Sequence, residues 1–222
     1  MGNDDGRAAV ALLAKVPVPG MVKTRLAETV GPKAAARLAR AMLLDLVGEH
    51  QGREYDLIIA CNVGHRERMK EVVRGVTIVE AEGTDLRGPE SMLLRTFREL
   101  LRGYERAIVV CADTPFVDCD LAREALAALS NSDLVLGPGV TGGYYLIGMR
   151  QVVDVFSDHP AGRHPYLGRT LSIAEGMAIR YHLTCPKWDI DTVEDIRSAP
   201  WKKSKVSLRY SLEVLGGLGF DV

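Results

Sequence analysis

The stretch AAVALLAKVPVPGMVKTRL, residues 8–26, carries the first decision about the fold. Its first six residues are apolar without interruption, the pattern of a strand buried on both faces of a sheet. From Ala14 to Leu26 the path becomes irregular. Pro17 and Pro19 have no backbone N–H to donate, and Gly20 accepts a positive φ that other residues resist. Beyond that bend, Lys23 and Arg25 place two fixed cations around the hydroxyl of Thr24. A strand that runs into a rigid loop presenting Lys and Arg suits a nucleotide's phosphates. A basic surface loop, merely solvated, is the other reading of the same residues.

Outward from this stretch the chain alternates between strand and helix patterns. Gly31-Pro32 starts a helix, with proline where its missing N–H does no harm. Ala35, Leu38, Met42 and Leu46 then recur at helical spacing to about residue 47. Strands are predicted over 55–61, 76–80, 107–111, 134–136, 142–149 and 179–183, and helices over 65–74, 90–102, 118–129, 171–176 and 192–198. This alternation predicts an α/β fold with a mainly parallel sheet. Residues 1–200 read as one domain. Residues 201–222 read as a helical extension in which Leu208, Leu212 and Leu215 form a stripe for the domain or for a second copy in a homodimer.

Composition narrows the function classes. Of 222 residues, 47% are hydrophobic and 26% charged, with a net charge of −1. That balance gives no general pull toward nucleic acid or an anionic membrane. No window approaches the about 18 to 20 apolar residues of a membrane span. The acidic start MGNDDGR is not a secretory signal, and Cys61, Cys111, Cys119 and Cys185 form no CxxC pair, so the expected location is a reducing cytoplasm.

Three further stretches carry chemistry. In CADTP, Asp113 lies just past the end of an apolar strand, where open α/β sheets gather ligands and a carboxylate can hold Mg²⁺. Capping the next helix is the alternative, although Asp118 and Asp120 stand closer to it. In WDIDTVEDI, Asp189 and Asp191 point to one side of an extended run. Asp191 with Glu194 also matches an acidic capping box, which spacing alone favours. In GPGVTGGYYLIG, Gly137, Gly139 and Gly142 match G-x-G-x-x-G, yet the match is a decoy, because a dinucleotide fingerprint must open a helix. These glycines either let backbone approach a ligand or turn the chain. Neither a Walker motif nor a serine-hydrolase G-x-S-x-G is present, and of the five histidines only His164 in its irregular loop draws notice.

Taken in order, AKVPVPGMVKTRL, GTDL, CADTP, LGPGVTGGYYLIGM and DIDTVEDI resemble the DUF2064 family of glycosyltransferase-A-like proteins, over about residues 8–199. That family is similar to the nucleotide-diphospho-sugar transferases. The resemblance implies a three-layer α/β/α sandwich that binds a nucleoside triphosphate or nucleotide sugar with Mg²⁺ (or Mn²⁺). It implies nucleotide contacts from Gly20, Lys23, Thr24, Arg25, Gly142 and Gly143, catalytic roles for Lys23 and Asp113, and metal ligation by Asp113 and Asp191. Two departures stand out: Thr141 replaces the family's acidic residue before GGYYL, and RGPESM carries a short insertion. The expectation is a Mg²⁺-dependent glycosyl- or nucleotidyltransferase with a small-molecule acceptor. The rival is a nucleotide-binding module with a degraded site, which Thr141 favours.

Overall fold

The apolar run after residue 7 becomes β1 (Ala8–Leu13), in which Ala9, Val10, Ala11 and Leu12 are fully buried. The computed structural model describes residues 6–81, 92–156 and 166–222. The other strands are β2 (Asp56–Asn62), β3 (Thr77–Ala81), β4 (Arg106–Cys111), β5 (Leu134–Pro138), β6 (Tyr144–Met149) and β7 (Tyr181–Leu183). They form one seven-stranded sheet in the order β3-β2-β1-β4-β6-β5-β7. Only β6 runs antiparallel to its neighbours β4 and β5. The turn between β5 and β6 is too short for a crossover, and a tight connection permits only an antiparallel pair.

Strand residues alternate between two apolar layers, as a period of two requires. Val10, Leu12, Ile108 and Val110 pack into one layer, and Ala9, Ala11, Ala107 and Val109 into the other. The first layer is covered by α2 (Pro32–His50), α3 (Arg66–Val72) and α5 (Cys119–Ala128), the second by α4 (Met92–Leu100) and α6 (Tyr166–Gly176). The fold is therefore a three-layer α/β/α sandwich. Gly137 is required by packing: a Cβ there would meet the Tyr145 ring at 2.5 Å.

Two local expectations change. The irregular stretch ends earlier than its sequence suggests, because Thr24 and Arg25 already belong to a short helix, α1 (Thr24–Val30). Among its residues only Leu26 is buried, so no apolar stripe announces it. In the C-terminal segment, Leu208 and Leu215 are buried but Leu212 is 39% exposed. That segment comprises a 3₁₀ turn (Trp201–Lys203) and α8 (Arg209–Gly217), and it packs on its own domain. Trp201 lies edge-on to Phe116 with ring centroids 5.1 Å apart. Its indole N–H donates to the Ile196 carbonyl at 2.7 Å. These residues join Leu26, Leu38, Met42, Ile190 and Val193 in a third apolar cluster. The GTDL and RGPES residues and His164 lie outside the described residues.

Two buried polar groups tie elements together. Asp45 of α2 accepts the Tyr210 and Ser211 amides, each at 2.9 Å, at the start of α8. Asp45→Ala strands both donors and should cost about 2 kcal/mol, read as a lower urea midpoint at unchanged slope. His50 lies between the Tyr55 hydroxyl, 2.7 Å from Nδ1, and the Val117 carbonyl, 3.0 Å from Nε2. A carbonyl only accepts, so Nε2 carries the proton and Nδ1 accepts from Tyr55. Burial holds the His50 pKa below its ordinary 6.5. The unfolded chain then takes up a proton before the folded one does, so stability is full above about pH 6.5 and falls as pH drops below it. Between pH 7 and pH 5 this should remove up to about 2 kcal/mol. His50→Gln should flatten that dependence in urea titrations at the two pH values.

Candidate functional site

The strand order reverses direction at β1, which has β2 on one side and β4 on the other. In open α/β sheets the crevice beyond the carboxyl ends at such a point is where ligands bind. Two connections enter that crevice, one after β1 and one after β4.

After β1, Ala14 extends the ladder by donating to Ala60 at 2.9 Å, and then the prolines act. Met21 N–H closes a turn on the Val18 carbonyl at 3.0 Å, with Pro19 and Gly20 at its centre. Gly20 has φ 80°, the positive value that the third position of a type II turn demands. Lys23 follows in a left-handed conformation, φ 49° and ψ 46°, and leads into α1. A non-glycine residue is held there only when its surroundings over-determine it. For Lys23 the surroundings are two carboxylates. Its ammonium lies 3.2 Å from Asp113 Oδ2 and 3.0 Å from Asp191 Oδ1. Its side chain is only 8% exposed. Arg25 donates to the other oxygen of Asp191.

Asp113 stands two residues past β4, and its carbonyl accepts the Ile190 amide at 2.9 Å. This bond ties the Asp113 turn to the extended run that carries Asp189 and Asp191. Asp191 is not the helix cap that spacing favoured. The capping box lies one residue later: Thr192 caps the Asp195 amide at 3.2 Å and Asp195 accepts the Thr192 amide at 2.7 Å, opening α7 (Val193–Ser198). The side chain of Asp191 is thereby left to the cations. At the other candidate cap, Asp118 accepts from Leu121 at 2.8 Å and caps α5, whereas Asp120 pairs with Arg123.

Burial pushes Asp191 up, but Lys23 and Arg25 outweigh it and hold the carboxyl below its ordinary value. For Lys23, burial disfavours the charge, and Asp113 and Asp191 more than restore it. Asp189 has no such cation among the described residues. Burial, joined by repulsion from Asp113 and Asp191, raises its pKa. Its partner is the Thr141 hydroxyl, 3.1 Å from each carboxylate oxygen. Beneath these charges lies the Cys111 thiol, whose pKa burial pushes far up, so it stays protonated.

A cleft of about 360 Å³ opens at this point. Lys15, Lys23, Asp113 and Asp191 give it a charged end, and Leu13, Met42 and Leu43 an apolar wall. Its size is that of a small-molecule site. Thr24 also lines it, while Gly142 and Gly143 do not. Those two glycines shape the turn after β5, in which Gly139 donates to the Gly143 carbonyl at 2.9 Å, and the same turn presents Thr141 to Asp189. Lys15 and Asn62 line the cleft as well, without having stood out in the sequence. Their signal was positional, just past β1 and at the end of β2, but reading it requires the strand order.

A family profile described as uncharacterised proteins conserved in bacteria matches residues 43–163, more than half of the chain. The chain belongs to the DUF2064 family. The matched span of this DUF2064 chain contains Asp113 and the Gly142–Gly143 turn, while Lys23 and Asp191 lie outside it. A Desulfovibrio desulfuricans protein, provisionally described as a nucleotide-diphospho-sugar transferase, is 26% identical in its crystal structure, with a TM-score of 0.83. The match covers 95% of this chain and 96% of that one. A 4-diphosphocytidyl-2C-methyl-D-erythritol synthase from Anaerococcus prevotii is 13% identical, with a TM-score of 0.53 and coverage of 90% and 99%. A Mycobacterium tuberculosis protein crystallised with manganese is 14% identical, with a TM-score of 0.51 and coverage of 86% and 96%. At the lower identities the likeness is one of fold. No functionally curated protein matches the DUF2064 chain. Its fold is that of the nucleotidyl- and glycosyltransferase-like proteins.

Removing the central cation should expose the cost of gathering these carboxylates. Lys23→Met should lower stability at pH 7 by about 2–4 kcal/mol, the scale for breaking a buried ion pair. Adding Asp113→Asn should recover part of that loss, and a double-mutant cycle by urea unfolding measures the coupling.

Proposed function

We propose that the protein is a transferase that binds a nucleoside triphosphate or nucleotide sugar in the cleft at the β1/β4 switch point. The observation that carries this reading is the convergence of Lys23 with Asp113 and Asp191 at one end of a cleft whose wall is apolar, with Arg25 paired to Asp191 behind them. The apolar wall suits a base or ribose face, and the two cations suit phosphates. Within the class, glycosyl and nucleotidyl transfer both remain compatible with this arrangement. Gly20 contributes by setting the turn that delivers the cations, and Thr24 adds a hydroxyl beside them. The acceptor is a small molecule, and the turn carrying Gly142 and Gly143 forms the acceptor-side rim through Thr141 and Asp189.

The donor set fits a divalent ion of one particular kind. Among the described residues no group of three or more His, Cys, Asp or Glu side chains could hold a metal alone. Asp113 and Asp191 offer two carboxylates, and Mg²⁺ is commonly held by one or two carboxylates plus substrate phosphates. The residues therefore fit Mg²⁺ or Mn²⁺ that arrives with a nucleotide. When bound, such an ion supplies charge neutralisation on the phosphates. The chain's own contribution is positional: Lys23 and Arg25 orient the phosphates and stabilise charge that grows on them as the leaving group departs.

The rival reading, a binding module with a degraded site, rests on Thr141. Thr141 bonds to Asp189, so a carboxylate is still held at that rim. Among the described residues no helix is long and apolar enough to cross a membrane.

Calorimetry with nucleoside triphosphates and nucleotide sugars in Mg²⁺ tests the reading. Lys23→Ala and Arg25→Ala should each weaken the best ligand about ten- to a hundred-fold, the worth of one charge-assisted contact. Asp113→Asn and Asp191→Asn should each remove the affinity that Mg²⁺ adds. Unchanged affinity in all four folded variants would sink the assignment, and product formation with the wild type separates transferase from binding module.

A further inference from the structure

We infer that Lys23 is a gate on the divalent-ion site: its ammonium fills the gap between Asp113 and Asp191, so an ion enters only after a nucleotide's phosphates have drawn the lysine out. This inference rests on the nucleotide reading above and specifies the order in which that site fills.

The ammonium nitrogen is 3.2 Å from one carboxylate and 3.0 Å from the other. An ion shared by the same two oxygens would sit about 2.0–2.1 Å from each. An ion on those two oxygens would have to displace the ammonium that now contacts both, so the two cations compete for one place as well as repelling by charge. Charge balance points the same way. In the free protein Asp113 and Asp191 are offset by Lys23 and Arg25, and a dication added alone leaves a surplus of positive charge in a part-buried cluster. Phosphates added alone compete for Lys23 and would strand two carboxylates. Phosphates and a dication added together offset one another, with Lys23 turned to the phosphates and the ion on the carboxylates.

The geometry gives the lysine somewhere to go. Lys23 itself lines the cleft, so its flexible four-carbon stem borders the volume into which the ammonium would turn. Its backbone is anchored on both sides, by the Val18–Met21 turn and by α1, whose Ala27 amide donates to the Lys23 carbonyl at 2.8 Å. The movement is therefore confined to the side chain. Arg25 is half-exposed and can follow the phosphates while the ion takes over Asp191. Nucleotide and ion then strengthen each other's binding by the same factor, as linkage requires.

The test uses Mn²⁺ as the probe and the full chain, with free Mn²⁺ read by electron paramagnetic resonance. Without nucleotide, the wild type and Lys23→Arg should bind Mn²⁺ weakly. Lys23→Met should bind it about ten- to a hundred-fold more tightly. Mn²⁺ should raise the melting temperature of Lys23→Met and leave that of the wild type unmoved, and Asp113→Asn added to Lys23→Met should abolish both gains. The same Lys23→Met change should weaken nucleotide binding, and these opposite signs are not expected of a residue that only supports the fold. Equal Mn²⁺ affinity in wild type and Lys23→Met, with nucleotides binding both, overturns the gate and leaves the nucleotide reading standing. A Mn²⁺ site gained in Lys23→Met, with no nucleotide binding to the wild type, retires the nucleotide reading and keeps the exclusion of ion by lysine. If Lys23→Met does not fold, the wild type decides alone. Tight nucleotide-free Mn²⁺ binding that Asp113→Asn abolishes counts against the gate, and Mn²⁺ binding that appears only with nucleotide counts for it.

Discussion

Asp113 and Asp191 come from turns far apart in the chain and meet at one buried ammonium. Two carboxylates that share one site repel each other unless a cation offsets them, and Lys23 supplies that cation from a third segment. Meeting that requirement dictates much of the local backbone. Lys23 adopts a left-handed conformation at a cost of about 1–3 kcal/mol, which its two ion pairs offset. Pro19 and Gly20 turn the chain so that the lysine arrives from the β1 side. The Thr192–Asp195 box caps α7 and leaves the Asp191 side chain to the cations.

The third apolar cluster holds this arrangement together from outside the site. Leu26 belongs to the helix that begins at Thr24, Ile190 lies between Asp189 and Asp191, and both pack with Leu38, Met42 and Trp201. The elements that carry Lys23, Arg25 and Asp191 are thus fastened to one another by the C-terminal segment. Burying a large apolar side chain stabilises by about 1.5–3 kcal/mol. That stabilisation opposes the electrostatic cost of gathering Asp113, Asp189 and Asp191 beyond the carboxyl ends of the central strands. Residues 201–222 therefore help to shape the site without lining the cleft.

The chemistry of the cleft follows from which charges are paired and which are not. Asp191 has two cations, whereas Asp189 has the Thr141 hydroxyl and no cation among the described residues. At the Lys23 end of the cleft the carboxylates are offset by cations, while the rim near Asp189 keeps a carboxylate without a counter-charge among the described residues. On the proposed reading this asymmetry sets a ligand's orientation, with phosphates toward Lys23 and the apolar face along Leu13 and Met42.

Much of this was legible in the chain itself. Uninterrupted apolar runs at 8–13 and 107–111 announced central strands, because burial on both faces leaves no polar position. The Pro19-Gly20 pair announced the bend, because only glycine readily takes the φ it needs. Asp118 was legible as a cap, being next to its own helix. Other features were not legible. Helix α1 buries a single residue and leaves no periodic signal, Leu212 is exposed despite its spacing, and the acidic run from Asp189 to Asp195 did not reveal that Thr192 caps α7. Backbone preference and burial pattern are local properties, so the sequence by itself determined the strands, the bend and the class of fold. Residues 23, 113 and 191 are brought together only by the strand order, and that long-range pairing decided which charges meet, which one lacks a counter-charge among the described residues and where the cleft opens.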